Sequence, residues 1–126
     1  KILLIGRNDR FVERGSAGQT RPTIPEIIAD VPEEDRDAVK ILLDHQPFNL
    51  GAAEEAGVFL QLSGHTHNGQ LLPFNLVVVM LFENSHGYSR RGQTHYWVSS
   101  GVGSWGARIR TTGRPEIVLI DLVPEG

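Results

Sequence analysis

The sequence predicts an α+β fold, and three observations carry that prediction. Short, almost unbroken apolar runs alternate with a helical pattern through the first half. Two histidine sites follow directly on such runs, at positions 45 and 65–67. After residue 88 the text changes to alternating, glycine-punctuated segments that read as β.

Residues 2–5 read as a buried strand, and Gly6-Arg7-Asn8-Asp9-Arg10 as the turn leaving it. Residues 15–25 are rich in Gly, Ser, Thr and Pro, the composition of a surface loop. A short helix over 25–29 follows, with Thr23 as its N-cap and Pro32 closing it. Residues 38–43 form a second strand, ended by Asp44-His45-Gln46-Pro47 because Pro47 cannot donate to a ladder. Residues 49–56 read as a helix with Gly57 as its C′ residue.

The third strand is 58–62, and Ser63-Gly64 turns the chain so that His65 and His67 lie at its carboxyl end. Ligands at strand ends are the usual geography of an α/β active site. Residues 76–82 are too uniformly apolar to assign by period; a helix is expected there, facing lipid or a partner in part. Strands are expected over 94–99, 107–111 and 116–122.

Composition narrows the function. The net charge of −3 gives no support to a nucleic-acid binder, whose footprint would be basic. With no cysteine, any metal must take nitrogen and oxygen ligands. The apolar stretch at 76–82 is far short of the ~20 residues that span a bilayer, so any membrane anchor is expected upstream. Residues 84–115 hold no acid but include Arg90, Arg91, Arg108, Arg110 and Arg114, which suits an anionic substrate or a solvated basic face. The chain begins inside an apolar run, with neither an initiator methionine nor a signal segment, and this reads as a strand interrupted by truncation.

The run Ser63-Gly64-His65-Thr66-His67-Asn68-Gly69-Gln70 is the most informative. Two imidazoles at i, i+2 on an extended backbone project to one side. With His45 they make three neutral nitrogen donors, enough for a zinc site or for a share of a two-metal hydrolase site.

The run LLDHQP, then LQLSGHTHNGQLLP, resembles the C-terminal half of bacterial calcineurin-like metallophosphoesterases. The likeness continues through Tyr96-Trp97-Val98-Ser99-Ser100-Gly101-Val102-Gly103, Arg108-Ile109-Arg110 and Arg114-Pro115-Glu116-Ile117. The resemblance implies two packed mixed sheets flanked by helices, an α/β sandwich of which this chain supplies one sheet. It implies hydrolysis of a phosphate ester or pyrophosphate at a pair of divalent transition-metal ions (Mn, Fe, Zn or Ni). His67 would ligate one ion, and His65 and His45 its neighbour. The Asp-x-His, Gly-Asp and Gly-Asn-His boxes of the family are absent, so residues 1–126 read as a partial domain. The acid histidine is expected upstream, no catalytic residue is assigned in this chain, and the fragment alone is expected to be inactive.

The implied partners are a phosphorylated small-molecule or lipid-like substrate, together with the missing N-terminal half or self-association through an open sheet edge. The implied location is the bacterial cytoplasm or its membrane. A non-catalytic metal-binding or interaction domain of the same fold is the alternative.

Arg108 and Arg110 are candidate substrate-binding residues, sharing a strand face by their spacing and offering forks to phosphate oxygens. A salt bridge from them to Glu116 or Asp121 is the rival expectation. His86 and His95 read as surface or packing residues, and Trp97 and Trp105 as packing residues. Gly64 and Gly69 are expected to turn left-handed beside the metal. Asn68 stands where relatives usually carry another glycine, a substitution that tolerates the same conformation. Phe59 stands where they commonly carry an acid.

Overall fold

The computed structural model describes residues 1–9 and 21–124. Arg10 and most of the loop expected at 15–25 lie outside the described residues. In chain order the elements are β1 (Ile2–Gly6), α1 (Ile24–Ala29), β2 (Val39–Leu43), α2 (Leu50–Glu55), β3 (Leu60–Ser63), α3 (Phe74–Leu81), β4 (Gly87–Arg91) and β5 (Thr94–Val98). The strands form one sheet of order β1-β2-β3-β5-β4, parallel throughout except for antiparallel β4 at one edge.

Register decides which side chains share a face. Ile5 pairs with Leu42, Leu42 with Gln61 and Gln61 with Tyr96, so these residues point to one side. There Ile5, Leu42 and Tyr96 pack with Ile24 of α1, Leu50 and Ala53 of α2, and Val58 into the hydrophobic core. Leu42 is 0% exposed. The Tyr96 hydroxyl, buried with its ring, donates to the Leu50 carbonyl at 2.7 Å, which ties α2 to the sheet.

The helix ends follow from their residues. Thr23 Oγ1 accepts from Glu26 N at 3.3 Å while Glu26 Oε2 accepts from Thr23 N at 2.7 Å, a reciprocal capping box. Helix α2 ends as expected at Gly57, whose φ is +68°. Val58 N donates to Ala53 O at 3.0 Å and Gly57 N to Glu54 O at 3.0 Å, the two bonds of a Schellman motif.

The second face of the sheet carries Ile2, Leu4, Val39 and Leu43, all exposed. The C-terminal residues 119–124 lie along part of it, lining a cavity of about 1020 Å³ with Leu60, His95 and Trp97. Helix α3, expected at 76–82 and found at Phe74–Leu81, has Asn75 as its one polar residue and no buried residue.

The expected strands over 107–111 and 116–122 are not formed; neither segment enters the sheet. Backbone groups that a strand at 107–111 would give to a ladder are taken up by Gln70 instead, as described below. Trp105, expected to pack, is 77% exposed.

Candidate metal centre

Parallel strands bring their carboxyl ends to one edge of a sheet, and each such end here delivers a polar residue. Asp9 follows β1, His45 follows β2, His65 and His67 follow β3, and Ser99 and Ser100 follow β5. The His45 and His65 rings meet edge to face with centroids 5.2 Å apart. Phe82 closes one side, its ring 6.1 Å from His65 and stacked at 4.8 Å on Phe48. Next to the histidines, Gly6, Arg7, Asn8, His45 and Gly64 line a cavity of about 560 Å³.

His45 is held in place by its neighbour. Asp44 is buried at the end of β2, accepts from Arg7 Nη1 at 3.0 Å and pairs with Arg21. Arg7 Nε reaches on to the Pro22 carbonyl at 2.9 Å. One carboxylate therefore joins the exits of β1 and β2 to the segment entering α1. Removing it would take the ion pair from two largely buried guanidinium groups.

The loop carrying His65 and His67 is conformationally unusual. His65, His67, Asn68 and Gln70 all have positive φ, at 68°, 48°, 50° and 43°, as does Gly69 at 70°. Asn68 and Gly69 thus take the left-handed conformation expected of them. Gly64 does not: the turn after β3 is made by His65, and a Cβ on Gly64 would meet only ordinary contacts, the nearest being His45 Nδ1 at 3.7 Å. Gly69 is required twice over, because an added Cβ would lie 2.1 Å from the Asn75 Cα.

Two side chains hold this loop down, and the motif gave no sign of what the first would do. Gln70 is buried, and its Nε2 donates to the carbonyls of Trp105, Ala107 and Ile109 at 2.8, 3.0 and 3.1 Å. Its Oε1 accepts from Trp105 N at 2.6 Å, and its carbonyl accepts from Thr111 N and Thr112 N at 2.8 and 3.1 Å. Arg110 donates from Nη1 to the His67 carbonyl at 2.9 Å, and from Nη2 to the carbonyls of Gly103 and Ser100 at 2.7 and 3.2 Å. Arg108 is exposed. The two arginines therefore share no strand face, and neither forms a salt bridge to Glu116 or Asp121 among the described residues. Glu116 instead accepts from Ser100 N at 2.8 Å and pairs with exposed His86 at 3.2 Å. His95 packs on Phe59, ring centroids 5.0 Å apart, and its Nδ1 lies 2.9 Å from the Tyr88 hydroxyl.

The electrostatics favour neutral imidazoles. Burial pushes the His65 pKa below the ordinary histidine value, helped by the His45 and His67 charges and opposed by Asp9. Burial lowers that of His67 as well, helped by the Arg110 guanidinium and His45 and opposed by the Ser100 carbonyl. His67 Nδ1 is buried and makes no hydrogen bond among the described residues. Imidazole nitrogens, in a chain that has no cysteine, form a donor set that fits a divalent transition metal. Among the described residues, no three of His, Asp and Glu already stand in metal-binding geometry.

The chain is 39% identical to an uncharacterised metallophosphoesterase of Helicobacter pylori over 98% of its length, covering 33% of that protein. It is 41% identical to one of Campylobacter jejuni over 65% of its length, covering 22% of that protein. A zebrafish (Danio rerio) relative named as a transmembrane protein with a metallophosphoesterase domain is 36% identical over 65% of the chain, which covers 20% of it. The chain belongs to the calcineurin-like metallophosphoesterase superfamily. It spans a third or less of the length of these relatives. No protein-family model and no solved structure gives a significant match. Among the described residues no helix is long and apolar enough to cross a membrane.

Replacing Gln70 by Leu should leave the carbonyls of Trp105, Ala107 and Ile109 without their donor. Hydrogen exchange should then show the amides of Trp105, Thr111 and Thr112 losing protection while those of β2 and β3 keep theirs. In metal-free protein, His65 and His67 should titrate below the ordinary imidazole value of about 6.5, as followed by their ring proton resonances. The sign follows from linkage. The stability these rings contribute is complete above the unfolded-state value, and it is lost as the pH falls from there through the folded pKa values. Urea unfolding at stepped pH should show that loss, and a gain in stability on acidification would contradict it.

Proposed function

We propose that this chain is the C-terminal part of a metal-dependent phosphoesterase that hydrolyses a phosphate ester or pyrophosphate at a two-metal centre. His45, His65 and His67 are its contribution to the ligands. The observation that carries the proposal is the meeting of His45 and His65 at one sheet edge, 5.2 Å between ring centroids, beside the buried and unpartnered Nδ1 of His67.

The three rings supply neutral donors, so the carboxylates that balance the metal charge must come from elsewhere in the intact protein, in agreement with relatives about three times longer or more. Divalent ions bound there would supply Lewis acidity and a hydroxide nucleophile at neutral pH. The work of the chain itself is positional. Asp44 fixes the backbone next to His45, while Gln70 and Arg110 fix the loop bearing His65 and His67. The Arg110 guanidinium is committed to backbone carbonyls. Any contact it makes with a phosphate would use what those bonds leave, whereas Arg108 is exposed and offers its whole fork.

The substrate class proposed is a phosphorylated small molecule or lipid-like phosphate, and the natural cover for the exposed second face of the sheet is the N-terminal half of the same protein. In the longest natural polypeptide carrying this segment, His67→Ala should abolish Mn²⁺-dependent hydrolysis of an aryl phosphodiester, and His95→Ala should leave it nearly intact. Equal losses in the two variants would mean that the histidines act through folding rather than ligation.

A further inference from the structure

Asp9, just past the end of β1, belongs to none of the Asp-x-His, Gly-Asp and Gly-Asn-His boxes of the superfamily, yet it stands over His45. Its Oδ2 lies 4.0 Å from His45 Nε2. Its other oxygen, Oδ1, accepts from Gln46 Nε2 at 3.3 Å. Gln46 is buried, and its backbone N–H donates to Asp44 Oδ1 at 3.4 Å, the carboxylate pinned by Arg7 and Arg21. Asp9 fixes which way round the Gln46 amide sits: turning it over would set Oε1 against a carboxylate, which cannot donate.

We propose that Asp9, held by Gln46, is a positioning residue that orients the His45 imidazole for metal binding, an inference that rests on the metal-centre reading above. Metal-binding histidines commonly give their second ring nitrogen to a carboxylate, which sets the ring orientation and tautomer and raises the basicity of the ligating nitrogen. Closing the 4.0 Å separation by about 1 Å would make such a bond from Nε2–H. Nδ1 is then the nitrogen left to ligate. It faces the turn after β3, where a Cβ on Gly64 would stand 3.7 Å from it.

The test measures Co²⁺ affinity by titration of its visible absorption in the longest natural polypeptide carrying this segment, with thermal unfolding of the metal-free protein alongside. Asp9→Asn should weaken Co²⁺ binding roughly 10–100-fold, leave the metal-free unfolding temperature unchanged, and cause no further loss in a His45→Ala background. Gln46→Leu, which removes the Gln46 amide bond to Asp9, should give a smaller loss of the same kind. Unchanged affinity in Asp9→Asn, with a loss in His45→Ala, overturns the Asp9 role and leaves the metal centre standing. An equal loss from Asp9→Asn with and without His45 overturns it too, since Asp9 would then act independently of that ring. If His45→Ala itself leaves affinity unchanged, the metal-centre reading falls, and this inference with it.

Discussion

The whole site depends on a left-handed loop that the chain would not adopt unaided. Four non-glycine residues between His65 and Gln70 have positive φ, and each such residue costs about 1–3 kcal/mol. That backbone persists because Gln70 and Arg110 over-determine it, the one by bonding the segment 105–112 and the other by bonding the His67, Ser100 and Gly103 carbonyls. Strain of this kind aims side chains that regular structure would send elsewhere. Here it turns two imidazoles toward the edge where His45 already stands.

The sheet supplies the other half of the arrangement. Parallel pairing of β1, β2 and β3 sets three exits side by side, and buried Asp44 locks two of them through Arg7 and Arg21. Burial and neighbouring positive charge lower the His65 and His67 pKa values, which favours the form that can give a lone pair.

Much of this was legible in the sequence where a signal was local. Thr23 with Glu26, Gly57 after residues 49–56, and Pro47 after Asp44-His45 each announce an element end by their own chemistry, and the structure puts the ends there. The placement of His45, His65 and His67 at strand ends was readable from the apolar runs before them. The segment 107–111 was not, because its β-like alternation says nothing about a distant glutamine that takes up its backbone groups. Residues 116–122 alternate like a strand but pair with no strand here. Trp105 and the difference between Arg108 and Arg110 escaped for the same reason: which arginine is enclosed depends on how residues 105–112 wrap Gln70, a long-range fact. Asp9 gave no local signal at all, since only the parallel register brings the end of β1 beside His45.

The exposed apolar residues of the second sheet face are the surface that the proposed N-terminal part would cover. The chemistry proposed here turns on one point, that the convergent imidazoles bind metal. The most direct measurement is anomalous scattering at the zinc edge from crystals of the longest natural polypeptide, soaked with Zn²⁺. Peaks about 2.0–2.1 Å from imidazole nitrogens of His45, His65 and His67 are the expected result. Zinc bound elsewhere, with these three rings apart and unliganded, would contradict it.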